Sequence, residues 1–184
     1  RLHRPVVGEA YHHGRRAACT ILTVKLPDPT GYGRVIRDEI GTFDRIVEQK
    51  DATADELAVS EINSGIYCFD TRKLFAALSK VGNSNAQGEY YLTDVPQILC
   101  SAGEDIAIYL HDDPAEIEGV NDRRQLAAME NVIRSRTVER LMLESGVSFT
   151  DPAAAYVSAE AAVGRDTVIY QNVSIEGRTD IGEN

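Results

Sequence analysis

The chain of 184 residues has no tryptophan, two methionines, three cysteines and six prolines. No apolar run approaches the roughly 18 residues that a membrane span needs, which excludes a helical membrane protein. Neither a signal peptide nor a lipid anchor is recognisable, so a cytoplasmic location is expected. Cys19, Cys68 and Cys100 are odd in number, far apart and set among apolar neighbours. That pattern excludes a disulfide or zinc framework and reads as reduced core thiols. Basic residues are also in short supply: 19 Lys and Arg against 29 Asp and Glu give a formal charge of −10. Such a balance argues against non-specific binding to nucleic acid or to an anionic membrane, both of which need a basic face. It leaves a small phosphorylated substrate open, because a few local donors can override the global sign. The length suits one full domain or pieces of two, and the periodicities favour two.

Residues 1–16 carry Arg1, Arg4, Arg15, Arg16, His3, His12 and His13 without a clear period or an initial methionine, so the start reads as cut. His12 and His13 do not suggest a metal site, since sequence neighbours point apart in helix or strand. Residues 17–26, rich in β-branched and aliphatic side chains and bounded by Pro27 and Pro29, predict a buried strand. Thr30-Gly31-Tyr32-Gly33-Arg34 follows, either a plain turn or one whose bare backbone N–H groups approach a ligand. Residues 34–37 and 43–48 pair as a hairpin across 38–41, with Gly41 supplying the positive φ and Glu48 leaving the sheet at a strand end. Residues 61–69 predict the next strand. Asparagine is disfavoured inside strands, so Asn63 is either at a strand end or held for a polar contact. Asp70 and Thr71 start a helix that runs to residue 81, with Leu74, Phe75 and Leu78 at helical spacing. After a loop at 83–88, a second short helix is capped by Thr93, tolerates Pro96 in its first turn and stops at Gly103. Residues 106–111 predict another strand, and His111 reads as a surface residue beside carboxylates.

Across residues 118–126 the chain changes character, from short apolar runs in an α/β layer to one long helical pattern and a six-residue repeat. Asn121 stands at the change. It suits the N-cap of a helix beginning at Asp122, and it equally suits an amide oxygen facing a ligand or metal at the carboxyl edge of a sheet. The helix runs from 122 to about 144, roughly 34 Å long at about 1.5 Å per residue. Its middle, residues 134–137, breaks the apolar stripe as in a helix bridging two domains through solvent. From residue 157 the pattern is strict. Val157, Val163, Ile169, Ile175 and Ile181 stand six apart, with Ala161, Thr167, Val173 and Thr179 four places after the first four. This period predicts triangular coils of three short strands, each aliphatic stacked on its counterpart eighteen residues on. About one and a third coils are present where such solenoids want about three repeats or more, so the chain is expected to end within a domain.

Five motifs occur in one order: residues 30–34 (TGYGR), 46–53 (IVEQKDAT), 61–65 (EINSG), 85–94 (NAQGEYYLTD) and 119–123 (GVNDR). With the long helix and the hexapeptide repeat after them, they closely resemble the GlmU family of bacterial bifunctional N-acetylglucosamine-1-phosphate uridyltransferases and glucosamine-1-phosphate acetyltransferases. The resemblance covers nearly the whole chain from about Thr20. It implies an α/β fold: the C-terminal part of a Rossmann-like nucleotidyltransferase domain at 1–121, a linker helix at 122–146, and the start of a left-handed β-helix acyltransferase domain at 147–184. The activity implied joins UTP to N-acetylglucosamine 1-phosphate, releasing pyrophosphate and giving the UDP-N-acetylglucosamine of peptidoglycan and lipopolysaccharide synthesis. The resemblance places substrate contacts on Gly33, Glu48, Asn63 and Asn121, and a Mg²⁺ ligand on Asn121; it implies no catalytic residue in this segment. The family forms homotrimers, and its second activity uses acetyl-coenzyme A. Ser64 and Asp122 stand where threonine and asparagine are common. The family's glycine-rich loop, uracil-binding residues and metal-binding aspartate, and the coils of the acetyl-coenzyme A site, have no counterpart here. The chain is therefore expected to be an internal segment holding the sugar half of the first site, and to be inactive alone. Two other expectations are a nucleotidyltransferase for another hexose 1-phosphate and a non-catalytic oligomerisation module.

Overall fold

In a computed structural model that describes residues 7–117, 119–120 and 122–183, the chain divides into two units, Arg1–Glu118 and Gly119–Asn184. The first unit is built on a mixed five-stranded sheet. Its elements in order are α1 (Val7–Arg15), β1 (Cys19–Lys25), β2 (Arg34–Arg37), β3 (Phe43–Val47), α2 (Ala54–Leu57), β4 (Glu61–Phe69), α3 (Thr71–Leu78), α4 (Asp94–Ser101) and β5 (Ile106–His111). The strand order is β3-β2-β4-β1-β5. Only β1 and β5 run parallel; β1–β4, β2–β4 and β2–β3 are antiparallel. The hairpin expected at residues 34–48 is β2–β3, with Gly41 at φ 85° in its turn.

Alternation along β1 divides the packing between the two faces. Cys19 and Ile21 enter a core with Val35, Phe43, Ile46, Ala77 of α3 and Val95 and Leu99 of α4. Thr20 faces the other way and meets His12 of α1, at 2.8 Å from Nδ1 to Oγ1. Burial lowers the His12 pKa, helped by His13, while Asp70 opposes the shift. The neighbouring His13 is instead exposed and near Glu9, so the two histidines do serve different surroundings. Asp70 caps α3 by accepting from the N–H groups of Arg72 and Lys73. Phe75, expected on the apolar stripe of that helix, is 67% exposed. His111 pairs through Nε2 with Glu116 at 3.0 Å and is partly buried, less of a surface residue than expected.

The second unit joins one long helix to a stack of very short strands. Helix α5 (Arg123–Glu144) takes Asp122 as its N-cap, whose carboxylate accepts from the Gln125 N–H at 2.7 Å. This corrects the expectation of a helix beginning at Asp122 behind an Asn121 cap. A carboxylate both accepts the free N–H and answers the positive end of the helix dipole. Asn121 and Glu118 lie outside the described residues. The strands β6 (Ser148–Phe149), β7 (Tyr156–Val157), β8 (Ala162–Val163), β9 (Val168–Ile169), β10 (Ser174–Ile175) and β11 (Asp180–Ile181) follow. They pair in parallel as β7–β10, β8–β11 and β6–β9. Val157 faces Ile175 and Val163 faces Ile181, the eighteen-residue register expected from the repeat. Val157, Val163, Ile169 and Ile175 are buried with Leu141 of α5, Val147 and Ala155. The C-terminal half of α5, with Thr137, Val138 and Leu141 buried, is thus part of this core, whereas a helix crossing solvent was expected.

Candidate functional site

Three of the four residues singled out in the sequence meet at one end of the first unit's sheet. Glu48 is the first residue beyond β3, where the chain leaves the ladder. Gly33 is the last residue before β2. A Cβ built on Gly33 would lie 3.2 and 3.3 Å from the two carboxylate oxygens of Glu48 and 3.3 Å from Ile46. A side chain at position 33 would therefore crowd both neighbours, which would have to shift slightly to admit it. Asn63 donates its backbone N–H to the Gly33 carbonyl at 2.9 Å. It lies within β4, not at a strand end, next to the irregularity between Ile21 and Thr23 in the β1–β4 ladder. Its side-chain oxygen accepts from the Gly65 N–H at 3.2 Å. Of the two readings of Asn63, the polar contact holds.

A cavity of about 290 Å³ opens beside Glu48, lined also by Asp51, Asn85, Tyr91, Thr93 and Asp94. Thr93 was read from the sequence as the cap of α4. It does precede that helix, but its backbone is already helical and its hydroxyl makes no capping bond. Oγ1 donates instead to Glu48 Oε1 at 3.1 Å. No sequence signal separates these two uses of a threonine before a helix, since both need only a hydroxyl at that position. The wall formed by residues 85–91 is held by its own polar groups. Asn85 Oδ1 accepts from the N–H groups of Gln87 and Glu89, Gln87 Nε2 donates to the Tyr91 hydroxyl at 2.7 Å, and Asp51 Oδ1 accepts from the Ala86 N–H at 2.8 Å. Burial raises the Asp94 pKa, and the charge of Asp51 adds to the shift.

The cavity offers the carboxylates of Glu48, Asp51 and Asp94, the hydroxyls of Ser84, Tyr91 and Thr93 and the Asn85 amide, while Gly33 and Asn63 stand beside Glu48 outside its lining. That set suits recognition of a polyhydroxylated ring by hydrogen bonds. It contains no nucleophile–base pair of the kind that covalent catalysis requires. Among the described residues no three His, Cys, Asp or Glu side chains are grouped to hold a metal ion. Asn121, the residue that the resemblance assigns to Mg²⁺, lies outside the described residues.

Comparison with known proteins gives two findings. A description of the Nucleotidyl transferase family matches residues 4–114. The chain is 55% identical over 172 residues to the "Bifunctional protein GlmU" of Limosilactobacillus reuteri, covering 94% of this chain and 38% of that protein. It is 51% identical over 174 residues to the protein of the same name from Halalkalibacterium halodurans, covering 95% of this chain and 38% of the relative. The chain thus spans well under half the length of these relatives.

Proposed function

The chain belongs to the nucleotidyl transferase family, and from that premise we propose that its first unit carries the sugar half of a uridyltransferase site. The reaction joins UTP to N-acetylglucosamine 1-phosphate. An oxygen of the sugar phosphate forms a bond to the α-phosphorus of UTP, the bond from that phosphorus to the β-phosphate oxygen breaks, and pyrophosphate leaves. The product, UDP-N-acetylglucosamine, feeds peptidoglycan and lipopolysaccharide synthesis. In-line displacement of this kind asks a protein mainly for positioning and charge neutralisation. The observation that carries the reading is the close approach of the bare Gly33 backbone to the Glu48 carboxylate, which also accepts from the Thr93 hydroxyl.

In this reading Glu48 accepts from a sugar hydroxyl, the Asn63 amide takes a second polar group and the Gly33 N–H meets the N-acetyl oxygen. Asn121 supplies one amide oxygen to Mg²⁺, which takes few protein ligands and would neutralise phosphate charge when bound. The finer architecture of the expectations is part of the proposal. Residues 1–121 are the C-terminal part of the nucleotidyltransferase domain, 122–146 the linker helix and 147–184 the first coils of a left-handed β-helix. The parallel eighteen-residue register supports the coils. The whole protein is proposed to be a cytoplasmic homotrimer that also acetylates glucosamine 1-phosphate from acetyl-coenzyme A. For location, the structure offers only that no described helix is long and apolar enough to cross a membrane.

Calorimetric titration with UDP-N-acetylglucosamine and UDP-glucose tests the sugar reading. The acetamido sugar should bind more tightly. Glu48→Ala should weaken binding about 10- to 100-fold, the range for losing a hydrogen bond to a charged group, about 1.5–3 kcal/mol. Equal affinity for both sugars, or a Glu48→Ala variant that binds as well as the parent, contradicts the assignment.

A further inference from the structure

The turn that presents Gly33 is tied down at three successive residues. The Gly31 N–H donates to Gln49 Oε1, the Tyr32 carbonyl accepts from Arg34 Nη1, and the Gly33 carbonyl accepts from the Asn63 N–H. Arg34 is 2% exposed, an unusual burial for a guanidinium. Its Nη2 donates to Gln49 Oε1 at 3.4 Å, the same oxygen that takes Gly31, and its Nε has no partner among the described residues. Both acceptors of this buried cation are neutral oxygens, so each of its few hydrogen bonds counts toward offsetting the lost hydration. One amide oxygen therefore serves two donors on the two sides of the turn. Because both partners are donors, the oxygen rather than the nitrogen of the Gln49 amide must face them.

Gln49 directly follows Glu48 in sequence. The same short stretch thus supplies the carboxylate that lies close beside Gly33 and the acceptor that anchors Gly31, two residues before that glycine. Movement of the turn away from Glu48 would break the Gly31 and Arg34 bonds together. We propose that Gln49 is a positioning residue of the sugar site, fixing residues 31–33 against Glu48 so that the Gly33 N–H stands where the N-acetyl group of the sugar phosphate binds. This rests on the sugar-site reading given above. The amide itself touches no substrate; it acts through the turn.

The test uses the full chain, Gln49→Met and Gln49→Glu. Methionine keeps the length and removes the acceptor, whereas glutamate keeps an acceptor for both donors. Amide hydrogen exchange by NMR reads the turn without ligand, calorimetry with N-acetylglucosamine 1-phosphate reads the site, and a thermal melt reads the fold. In Gln49→Met the Gly31 amide should exchange at least about tenfold faster and the affinity should fall about tenfold, with the melt little changed; Gln49→Glu should restore both. Parental affinity in Gln49→Met overturns the proposal, and so does weakened binding with Gly31 still protected. If Gln49→Met does not fold, Gln49→Glu decides alone: parental Gly31 protection and affinity support the role, and a tenfold weaker affinity overturns it. A parent chain that binds no N-acetylglucosamine 1-phosphate, whatever its Gly31 exchange, overturns the sugar reading and the proposal with it, and is distinguishable because no variant is needed to see it.

Discussion

Glu61 offers a sharp energetic test of how the first unit's sheet is held. Only 6% exposed, it accepts from Arg37 through both carboxylate oxygens, Nη2 to Oε1 at 2.7 Å and Nε to Oε2 at 2.8 Å. Oε1 also accepts from the hydroxyl of Thr23, which is fully buried, at 2.7 Å. These bonds tie β2, β4 and β1 together across the middle of the sheet. Glu61→Leu keeps most of the volume and removes every acceptor. Breaking a buried pair from one side costs about 3–5 kcal/mol. The Arg37 side chain remains 33% exposed and keeps its bond to the Gly41 carbonyl, so the low end, about 3 kcal/mol, is expected. At about 2–4 °C per kcal/mol, the melting temperature should drop by roughly 6–12 °C. Pairing it with Arg37→Met should recover most of that loss, because no charge is left without its partner. Burial acts to raise the Glu61 pKa, but the bonds from Arg37 and Thr23 outweigh it and the net shift is downward from 4.5. A lowered folded-state pKa contributes stability that is present above the ordinary value and lost as pH falls through the folded one. The gap between parent and variant should therefore be wide at pH 7 and narrow as the pH falls below the ordinary value of 4.5 and through the lowered folded one. Thermal melts at several pH values measure it. A single-variant loss under about 1 kcal/mol, a double variant no better than the single, or a gap unchanged by pH would refute this account of the pair.

Three further outcomes are expected. Thr93→Val should leave the melt of the first unit within about 0.5 kcal/mol, as its hydroxyl makes no cap bond; titration should show sugar-phosphate binding several-fold weaker, and a large stability loss with intact binding would return Thr93 to a capping role. Ile169→Asp puts a charge at a position 3% exposed and should cost the second unit several kcal/mol. Because the two cores share no residue, hydrogen exchange in the first unit should stay slow, and an Ile169→Asp variant as stable as the parent would count against the coil. Asp94→Asn should stabilise the protein at neutral pH, since burial and Asp51 raise the Asp94 pKa and ionisation is then a cost that grows as pH rises above the ordinary value of 3.8; the gain should vanish in acid, and a gain that grew in acid would reverse the sign of the account.

Much of this fold follows from local pattern. The strands at 61–69 and 106–111 and the hairpin at 34–47 stand where β-branched runs and the Gly41 turn put them. The six-residue period foretold both the buried positions and the register of the short parallel strands. What the pattern could not give was the partner of each strand. Nothing local says that β1 takes β4 on one side and β5 on the other, since strand order is settled by distant contacts. The same limit applies in the site. Asn63 was visible as an out-of-place residue in a strand, whereas Gly33 and Glu48 read locally as a turn glycine and a strand-end residue and were assigned to the site by the family resemblance. Thr93 was visible only as a cap, and the roles of Arg34 and Gln49 depend on a turn folding back over a strand end, which no spacing encodes. In helix α5 the apolar spacing included Val138 and Leu141, both buried, but the polar stretch at 134–137 did not show that Thr137 would be buried too, and spacing alone did not show that Leu141 would join the core of the short strands.

The central claim is that residues 33, 48 and 63 form one sugar-phosphate site. An NMR titration of the labelled chain with N-acetylglucosamine 1-phosphate tests it most directly. The account predicts that the amide signals of Gly33 and Asn63 and those of the cavity wall at Tyr91 and Thr93 shift together along one saturating curve, and that Glu48→Ala moves the curve to about 10- to 100-fold higher sugar-phosphate concentration. Saturable shifts confined to other residues, with Gly33 and Asn63 unmoved, would contradict it.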